Sequence, residues 1–328
     1  MKSIDDHPTF PKYYTIFSFI STANLGVEEF SDLSLRIHEK MNEITPDFNI
    51  SFSFSKYDLI IEISYNSVRL ILPVLKKIVE DTRKKLDKGE DFYNICYSNV
   101  FAKKVLIKTI LDNKNKEKIT HYPIFSYTFL RVDTSSNDFL NIFNQELEKI
   151  SKINSRYRNI DLELFWNMNI FQYIVKIKGH DFFLMRDLLY NLLTLLEDKV
   201  EISKISSIYN LNYKFNNNSE QFDFEKDKSS SKPIHFMSFL NLDKKKFENL
   251  SKYRRIFYEE IDKASFLKVK INEIFSSPGW YDYVCYGEAH SLYQIIQFIF
   301  LLRKVKDNDE YVISQSSTNL LISGDDHD

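Results

Sequence analysis

Few side chains of this sequence have the type and spacing that catalysis or metal binding requires. His235 lies in a strand-like stretch, and His180 and His290 lie just before helical segments. No HxH, HExxH or CxxC spacing occurs, so we predict no metal site. The neighbouring carboxylates Glu259 and Glu260 point in different directions on a helix, which is typical of a solvated face. The sequence therefore predicts no catalytic residue and no cofactor, and we expect that the protein is not an enzyme.

Glycine, cysteine and net charge exclude further kinds of site. The six glycines are too scattered for a phosphate-binding loop, which needs clustered glycines so that the backbone can approach the anion. Cys96 and Cys285 are far apart and are typical of free thiols in a reducing compartment. The formal net charge of −2 gives no general attraction to nucleic acid or anionic membranes. Without a leader-like segment or an apolar run long enough for a bilayer, we expect a cytoplasmic protein that makes no membrane contact.

The elements that carry these residues recur along the chain. Pro11, Pro123 and Pro233 stand about 110 residues apart, and each precedes β-branched and aromatic residues typical of a strand with proline at its start. A second landmark recurs with the same period, an acidic or amide residue before an apolar strand: Asp58, Asn169 and Asp282. Two landmarks with one period indicate three copies of one unit.

Each repeat has the same order of hydrophobic patterns. Spacings of three, four and seven mark two amphipathic helices, and runs of apolar residues mark four strands. With right-handed crossovers, the order βαββαβ predicts a four-stranded antiparallel sheet with two helices on one face. We therefore predict an α+β protein of three tandem ferredoxin-like domains. Their ranges are residues 11–111, 121–215 and 233–323, with a polar linker at residues 216–232.

The third repeat carries a more specific pattern. A Gly-x-Tyr-Asp turn joins two strands, and a helix and a Thr-containing last strand follow; the residues are Gly279, Tyr281, Asp282, Tyr283 and Thr318. In this pattern it resembles the effector-binding, ferredoxin-like domain of the Lrp/AsnC family of transcriptional regulators, and the first repeat matches in part with Tyr57 and Asp58. We find no counterpart of that family's helix-turn-helix. The resemblance therefore implies a sensing and oligomerising module, and we expect no specific binding to duplex DNA.

The resemblance also implies a ligand site. In this family such turns shape the pocket for a small effector such as an amino acid. This places a candidate ligand-binding site at Tyr57, Asp58, Gly279, Tyr281 and Asp282. The second repeat departs from the pattern and is expected to be structural. Asp and Gly are also common at turns for conformational reasons, so a purely structural role for these turns stays open.

Three functions agree with the sequence. Our prediction is a non-enzymatic regulatory or scaffold protein whose repeats associate through their sheets and hold a small ligand. One alternative is an RNA-binding ferredoxin-like protein of the CRISPR-associated type, with sheet aromatics such as Phe125 and Phe236 stacking on bases. The other is a dimeric α+β barrel enzyme, for which His235 is the candidate group inside a sheet-walled cavity. The near-neutral charge favours packing as the role of the aromatics.

Self-association is the last expectation. Two helices on one side of a four-stranded sheet leave the other face open, and that face carries large apolar side chains in every repeat. An uncovered face of this kind exceeds the apolar patches that soluble monomers usually expose. If two repeats cover each other, the third is left over. We therefore predict a homodimer, or a different partner with a free sheet face.

Overall fold

The computed structural model of the chain describes residues 14–21, 27–45, 47–54, 57–65, 73–74, 76–77, 80, 96–110, 122–133, 136–153, 157, 159–167, 171–215, 222–224, 226–242, 250–276, 282–307 and 310–321. The α-helices with defined ends are α1 (Val27–Asn42), α2 (Ser136–Ile153), α3 (Phe182–Glu197), α4 (Leu250–Asp262) and α5 (Leu292–Arg303), and a 3-10 helix (Lys263–Leu267) follows α4. The strands of the first two repeats are β1 (Tyr14–Ser21), β2 (Phe48–Ser53), β3 (Leu59–Tyr65), β4 (Cys96–Ile110), β5 (Ile124–Val132), β6 (Ile160–Asn167), β7 (Tyr173–Gly179) and β8 (Ile202–Phe215). The remaining strands are β9 (Phe222–Phe224), β10 (Ile234–Leu242), β11 (Lys270–Ser276), β12 (Tyr283–Ala289), β13 (Lys306–Asp307), β14 (Glu310–Tyr311) and β15 (Ile313–Leu321).

Eight strands close into a barrel that joins the first two repeats. Their order is β2-β3-β1-β4-β6-β7-β5-β8, and an additional pairing of β2 with β8 completes the ring. Every neighbouring pair in the ring is antiparallel. The last strand of each repeat pairs with the second strand of the other, β4 with β6 and β8 with β2. Strand β9 extends the sheet outside the ring by pairing with the end of β8.

The third repeat forms a separate antiparallel sheet in the order β11-β12-β10-β15. Each half of the barrel has the same order of second, third, first and fourth strand, which is the ferredoxin-like order. The predicted α+β class with antiparallel sheets is therefore confirmed. The structure differs from the predicted separate sheets of the first two repeats. Their edge strands hydrogen-bond to each other, which removes the open edges that isolated sheets would expose.

Alternation along the barrel strands separates two apolar layers. In β1, Ile16 and Ile20 face outward into the large core, whereas Phe17 and Phe19 face inward. The helices bury the stripes predicted from the sequence, among them Phe30, Leu33 and Ile37 of α1 and Phe139, Phe143 and Leu147 of α2. The helices thus cover the outside of the barrel, and the closed ring encloses the inward faces.

Helix α5 lies between the third sheet and the barrel. Phe298 packs on Phe236 of β10 with ring centroids 5.6 Å apart. Phe300 contacts Phe30 of α1 at 5.4 Å and Phe52 of β2 at 5.7 Å. Because α5 separates the two bodies, the other face of the third sheet points away from the barrel.

The segment before β10 fixes the start of α5. The Asp227 carboxylate accepts hydrogen bonds from the backbone N–H groups of Leu292 (2.8 Å) and Tyr293 (3.1 Å), and the Ser291 hydroxyl accepts one from Gln294 (3.3 Å). These contacts satisfy amide groups that have no acceptor within the helix. Part of the range predicted as a linker is therefore bound to the third repeat.

The Asp227 carboxyl should make stability fall as pH rises. Burial raises its pKa to about 6 from the ordinary 3.8, although the two amides act to lower it. The folded protein therefore binds this proton more tightly than the unfolded chain does. The free-energy cost of ionising this buried carboxyl is absent below pH 3.8, which is its ordinary pKa. The cost is fully present above about pH 6, where the carboxyl is ionised in the folded protein.

Replacing Asp227 with Asn removes this charge and keeps an acceptor oxygen for the helix. We expect Asp227→Asn to raise the free energy of unfolding at neutral pH by about 1–3 kcal/mol. Near pH 4 the variant and the wild type should be equal within error. Urea unfolding at the two pH values measures the difference, and Asp138→Asn near the start of α2 is the matched control. A gain of the same size at both pH values would contradict this account.

Candidate functional site

The barrel interior has a polar half built by strands that are otherwise strongly apolar. Side chains alternate between the two faces of β3, β6 and β7. The aliphatic residues on the outer face are buried in the large core, whereas Glu62, Glu163 and Lys176 face the barrel axis. All three side chains are buried. Lys104 of β4 and Lys178 of β7 join them. The polar half therefore holds three ammonium groups around two carboxylates.

Lys176 lies at the centre of this cluster, with 4% of its side chain exposed. Its ammonium group donates to Oε2 of Glu62, and the Tyr127 hydroxyl donates to the same oxygen at 2.9 Å. The Lys176 nitrogen is 3.8 Å from Oε2 of Glu163 and 4.9 Å from the centre of the Phe125 ring. Glu62 comes from the first repeat and the other four residues from the second. The cluster therefore exists only when the two repeats close into one barrel.

Glu163 anchors the remaining charges. Its Oε1 accepts hydrogen bonds from Lys178 at 2.9 Å and from Lys104 at 3.1 Å. Lys104 also lies 5.3 Å from the centre of the Phe165 ring. Beside this group, the Tyr122 hydroxyl is hydrogen-bonded to the side chain of Asp161. These contacts offset part of the cost of holding charges away from water.

The ionisation of these groups is strongly perturbed. Burial lowers the pKa of Lys176 below its ordinary value, although Glu62 and Glu163 oppose this effect. Burial, strengthened by Glu62, raises the pKa of Tyr127 well above its usual range. Burial acts to raise the pKa of Glu163, but Lys176, Lys178 and Lys104 outweigh it and hold that pKa at about 2. At neutral pH the cluster therefore combines a firmly ionised carboxylate with an ammonium group that gives up its proton more easily than usual.

A cavity of about 610 Å³ opens onto the polar half and is lined by both repeats. Within the described residues, four residues that line it each hold a buried atom without a hydrogen-bond partner: Nδ2 of Asn49, Oδ1 of Asp161, Oε2 of Glu163 and Oδ1 of Asn212. Buried polar groups in proteins nearly always have partners. The volume lies within the range typical of small-molecule sites. The polar side chains around the cavity are therefore not fully paired within the described part of the chain.

The other half of the interior is aromatic. The Phe17 ring lies 5.4 Å from Tyr127 and 5.1 Å from Phe165, in edge-to-face contacts. Phe19 contacts Tyr57 at 5.3 Å. Phe125 and the other inward rings of β1 and β5 are buried. Their packing fills one end of the barrel and bounds the cavity.

The residues of the predicted effector site lie apart from this cavity. Tyr57 belongs to the aromatic half. The Asp58 carboxylate is buried and accepts a hydrogen bond from Nη2 of Arg303 in α5 at 2.5 Å. The Asp58 amide donates to the carbonyl of Ile20, and the Asp282 amide donates in the same way to Leu240, each at 2.9 Å. Asp58 and Asp282 therefore occupy equivalent strand junctions in the first and third repeats.

Gly279 and Tyr281 lie outside the described residues, and the predicted ligand site at these turns stays a prediction. The Thr318 and Ser238 hydroxyls of the same repeat are hydrogen-bonded to each other at 2.8 Å in the buried side of the third sheet. His235, the candidate for a dimeric α+β barrel enzyme, stays a prediction. It lies on β10 outside the barrel, where its Nδ1 is 3.0 Å from the Tyr286 hydroxyl.

Glu62, Glu163 and Lys176 were missed in the sequence. Each is a charged residue in the middle of an apolar strand, in the stretches LIIEISY, IDLELFWN and YIVKIKG. A charge at an inward position of such a strand is costly unless it is paired, so this pattern is itself a signal of a buried polar site.

The described residues contain no group of His, Cys, Asp and Glu side chains arranged to hold a metal ion. Among the described helices, none is both long enough and apolar enough to cross a membrane. Cys285 is a buried free thiol, and burial raises its pKa to about 12. It is therefore unsuited to act as a nucleophile at neutral pH.

Comparison with known proteins gives similarity of structure alone. No protein-family model and no curated protein sequence matches this chain. A candidate chlorite dismutase matches with a TM-score of 0.43 and 13% identity, over 61% of this chain and 94% of its own. A variant chlorite dismutase from Candidatus Nitrospira defluvii, in complex with cyanide, matches with a TM-score of 0.41 and 8% identity over 61% and 90% of the two chains. A candidate monooxygenase from Lactobacillus acidophilus matches with a TM-score of 0.37 and 9% identity over 64% and 94%.

These matches correct the functional prediction. Sequence analysis predicted a non-enzymatic regulatory or scaffold protein, and the matched proteins are named as enzymes, so that prediction was wrong. The ferredoxin-like order is seen in the strands of the chain itself. The matches give no link to the Lrp/AsnC family.

Proposed function

We propose that the chain is an α+β barrel enzyme that carries out acid–base chemistry on a small polar molecule in the polar half of the barrel interior. In this proposal the chain consists of three tandem ferredoxin-like units, residues 11–111, 121–215 and 233–323, and the first two build the active site. The observation that carries the proposal is the buried Lys176 between two carboxylates, beside a cavity with unpartnered polar atoms.

The energetics favour a functional role for this cluster over a structural one. A buried ion pair is often no more stabilising than apolar side chains of the same volume, because each charge loses its hydration. The aromatic half of the same barrel is filled with apolar rings such as Phe17 and Phe165, so these strands accommodate apolar packing. Strongly perturbed ionisation beside a cavity is typical of active sites. A purely structural role does not explain why this half of the barrel interior contains charged side chains instead of apolar ones.

The geometry suggests a role for each group. Lys176 exchanges a proton with the substrate, because burial has made its ammonium group more acidic. Glu62 and Tyr127 hold the Lys176 side chain in place through the shared oxygen. Lys104 and Lys178 keep Glu163 ionised as a binding group.

The residues that line the cavity indicate the substrate class. Asp161, Glu163 and Asn212 carry acceptor oxygens, and Asn49, Lys104 and Lys178 carry donor nitrogens. A lining with both acceptors and donors matches a molecule with several hydroxyl or amino groups. The substrate class is therefore small polyhydroxylated or amino compounds, such as sugars, polyols and amino acids.

A thermal-shift panel of small sugars, polyols and amino acids tests the binding step. A ligand present at a hundred times its Kd stabilises the folded state by about 2.7 kcal/mol, which raises Tm by several degrees. We expect such a shift for the wild type and a loss of it in Glu163→Gln and Asn212→Leu. Glu146→Gln is the matched control, since Glu146 is a buried carboxylate on α2 paired with Lys149 and Lys199 outside the barrel. Equal shifts in the cavity variants and the control, or no shift for any compound, would contradict the site.

Solvent exchange tests the chemical step. In D₂O, unprotonated Lys176 should take the hydrogen from the carbon next to the carbonyl of an open-chain aldose or ketose, with the electron pair moving to the carbonyl oxygen. Return of deuterium to the same carbon is then detected by NMR. We expect Lys176→Met to slow this exchange by roughly 10²-fold or more, the usual effect of removing a general acid or base. An aldose or ketose that binds without exchange or conversion in the wild type would contradict the enzymatic part of the proposal.

A further inference from the structure

We infer that the outward face of the third sheet binds the same face of a second copy of this chain, so that two copies form a second barrel between them. The first two repeats provide the template. Their sheets meet face to face, and the fourth strand of each pairs with the second strand of the other.

The third sheet has the same edges available for this pairing. Its order is β11-β12-β10-β15, which places the second strand at one edge and the fourth strand at the other. Within the part of the chain that the structure describes, β11 pairs only with β12, and β15 pairs only with β10. A two-fold axis would place β15 of one copy beside β11 of the other. The same axis places β11 of the first copy beside β15 of the second, so both edges of each sheet are paired.

The face has an apolar centre that is incompletely buried, and it also carries the exposed polar residues Glu273 of β11 and Asn319 of β15. Met237, Val284 and Tyr286 lie on it and are half-buried, and Phe275 of β11 has 46% of its surface exposed. The opposite face of the sheet is covered by α5 through contacts such as Phe298 with Phe236. Since α5 also separates this sheet from the barrel, the half-buried face is directed away from the barrel among the residues that the structure describes.

One position argues for a second copy rather than an unrelated sheet. The fourth residue of the third strand is Glu62 in β3, Lys176 in β7 and Tyr286 in β12. In the barrel, Glu62 and Lys176 meet as opposite charges from two different sheets. At a two-fold interface a residue meets its own copy, where a like charge would be repelled. An uncharged tyrosine is compatible with such self-pairing, and Tyr286 is the residue present there.

The charges at the edge of the face are also compatible with a second copy. Lys270 and Glu288 form an ion pair at 2.8 Å, and His235 lies 3.7 Å from Glu288. The Lys270–Glu288 pair neutralises itself within one sheet, so two copies approach without a net clash at this end. Glu273, opposite Tyr286, adds one exposed carboxylate from each copy, which must stay in contact with water at the edge of the interface. The new interior would thus repeat the arrangement of the first, with an apolar half and a polar half, each built from both chains.

Light scattering coupled to size-exclusion chromatography at micromolar concentration tests the inference on the full chain. We expect the wild type to have twice the 39.1 kDa of the single chain. Val284→Arg places a charge at the centre of the face and should weaken the dimer by roughly 30-fold or more in Kd. Phe275→Glu, at a more exposed position, is a second variant in case Val284→Arg does not fold. Phe266→Glu, at a residue 86% exposed outside this face, is the matched control and should leave the dimer intact.

Hydrogen exchange separates this dimer from one formed elsewhere. In the wild type the amides of β11 and β15 should be protected, and in the monomeric variants they should exchange faster, with unchanged circular dichroism. A monomeric wild type would overturn the inference. A dimer that survives both Val284→Arg and Phe275→Glu would equally overturn it, because the interface would then lie on another surface.

Discussion

Lys176→Met should destabilise the protein by about 3–5 kcal/mol, because it leaves the Glu62 carboxylate buried beside Tyr127 without its cation. The same substitution at Lys40, whose ion pair with Glu43 is about half exposed on both sides, should cost less than about 1 kcal/mol. Chemical unfolding monitored by circular dichroism measures both values. The contrast isolates the effect of burial from the effect of losing a lysine.

Removing the whole cluster should give the opposite result. In the triple variant Glu62→Leu, Lys176→Met and Tyr127→Phe no charge or hydroxyl is left unpaired by the change, and Lys104 and Lys178 still hold Glu163. We expect a free energy of unfolding equal to the wild type or up to about 4 kcal/mol above it, as found when apolar residues replace buried ion pairs. A triple variant as unstable as Lys176→Met would mean that the cluster is required for folding. That outcome would remove the energetic argument for an active site.

The element order was predictable because it depends on local patterns. Pro123 and Pro233 mark strand starts, and the stripes of Phe139, Phe143 and Leu147 mark a helix, without reference to distant parts of the chain. Barrel closure depends on the pairing of β4 with β6 and β8 with β2, between edges distant in sequence. An edge strand looks the same in sequence whether its partner is in the same chain or another one. Sequence reasoning therefore left open whether the sheets pair within or between molecules.

The candidate site was hidden for the same reason. Glu62 and Lys176 are each visible as a charge in an apolar strand, but only closure brings them together across 114 residues of sequence. Asp58 shows the reverse case. Its type and turn position matched a ligand-binding pattern, whereas its carboxylate contacts an arginine 245 residues further along. A turn residue in a multidomain chain can serve the packing of domains, and one sequence does not distinguish that role from ligand binding.

The Asp58–Arg303 contact leads to the second large effect. Arg303 is 4% exposed and Asp58 6% exposed in their side chains, and Arg303 also donates to the Ser316 hydroxyl at 2.8 Å. Arg303→Met leaves the Asp58 carboxylate buried between the first and third repeats without this cation. We expect a loss of about 3–5 kcal/mol, compared with less than about 1 kcal/mol for Arg255→Met, whose pair with Glu259 is exposed.

The form of the unfolding transition should change together with its midpoint. Besides this ion pair, Phe300 joins α5 to the first repeat through Phe30 and Phe52. Weakening that junction uncouples two bodies that each have their own sheet, so calorimetry of Arg303→Met should show two transitions where the wild type shows one. Adding Phe300→Ala should separate them further. A single transition at the wild-type temperature in Arg303→Met would mean that the third repeat is held to the barrel by other contacts. The buried ion pair would then contribute nothing to the cohesion of the chain.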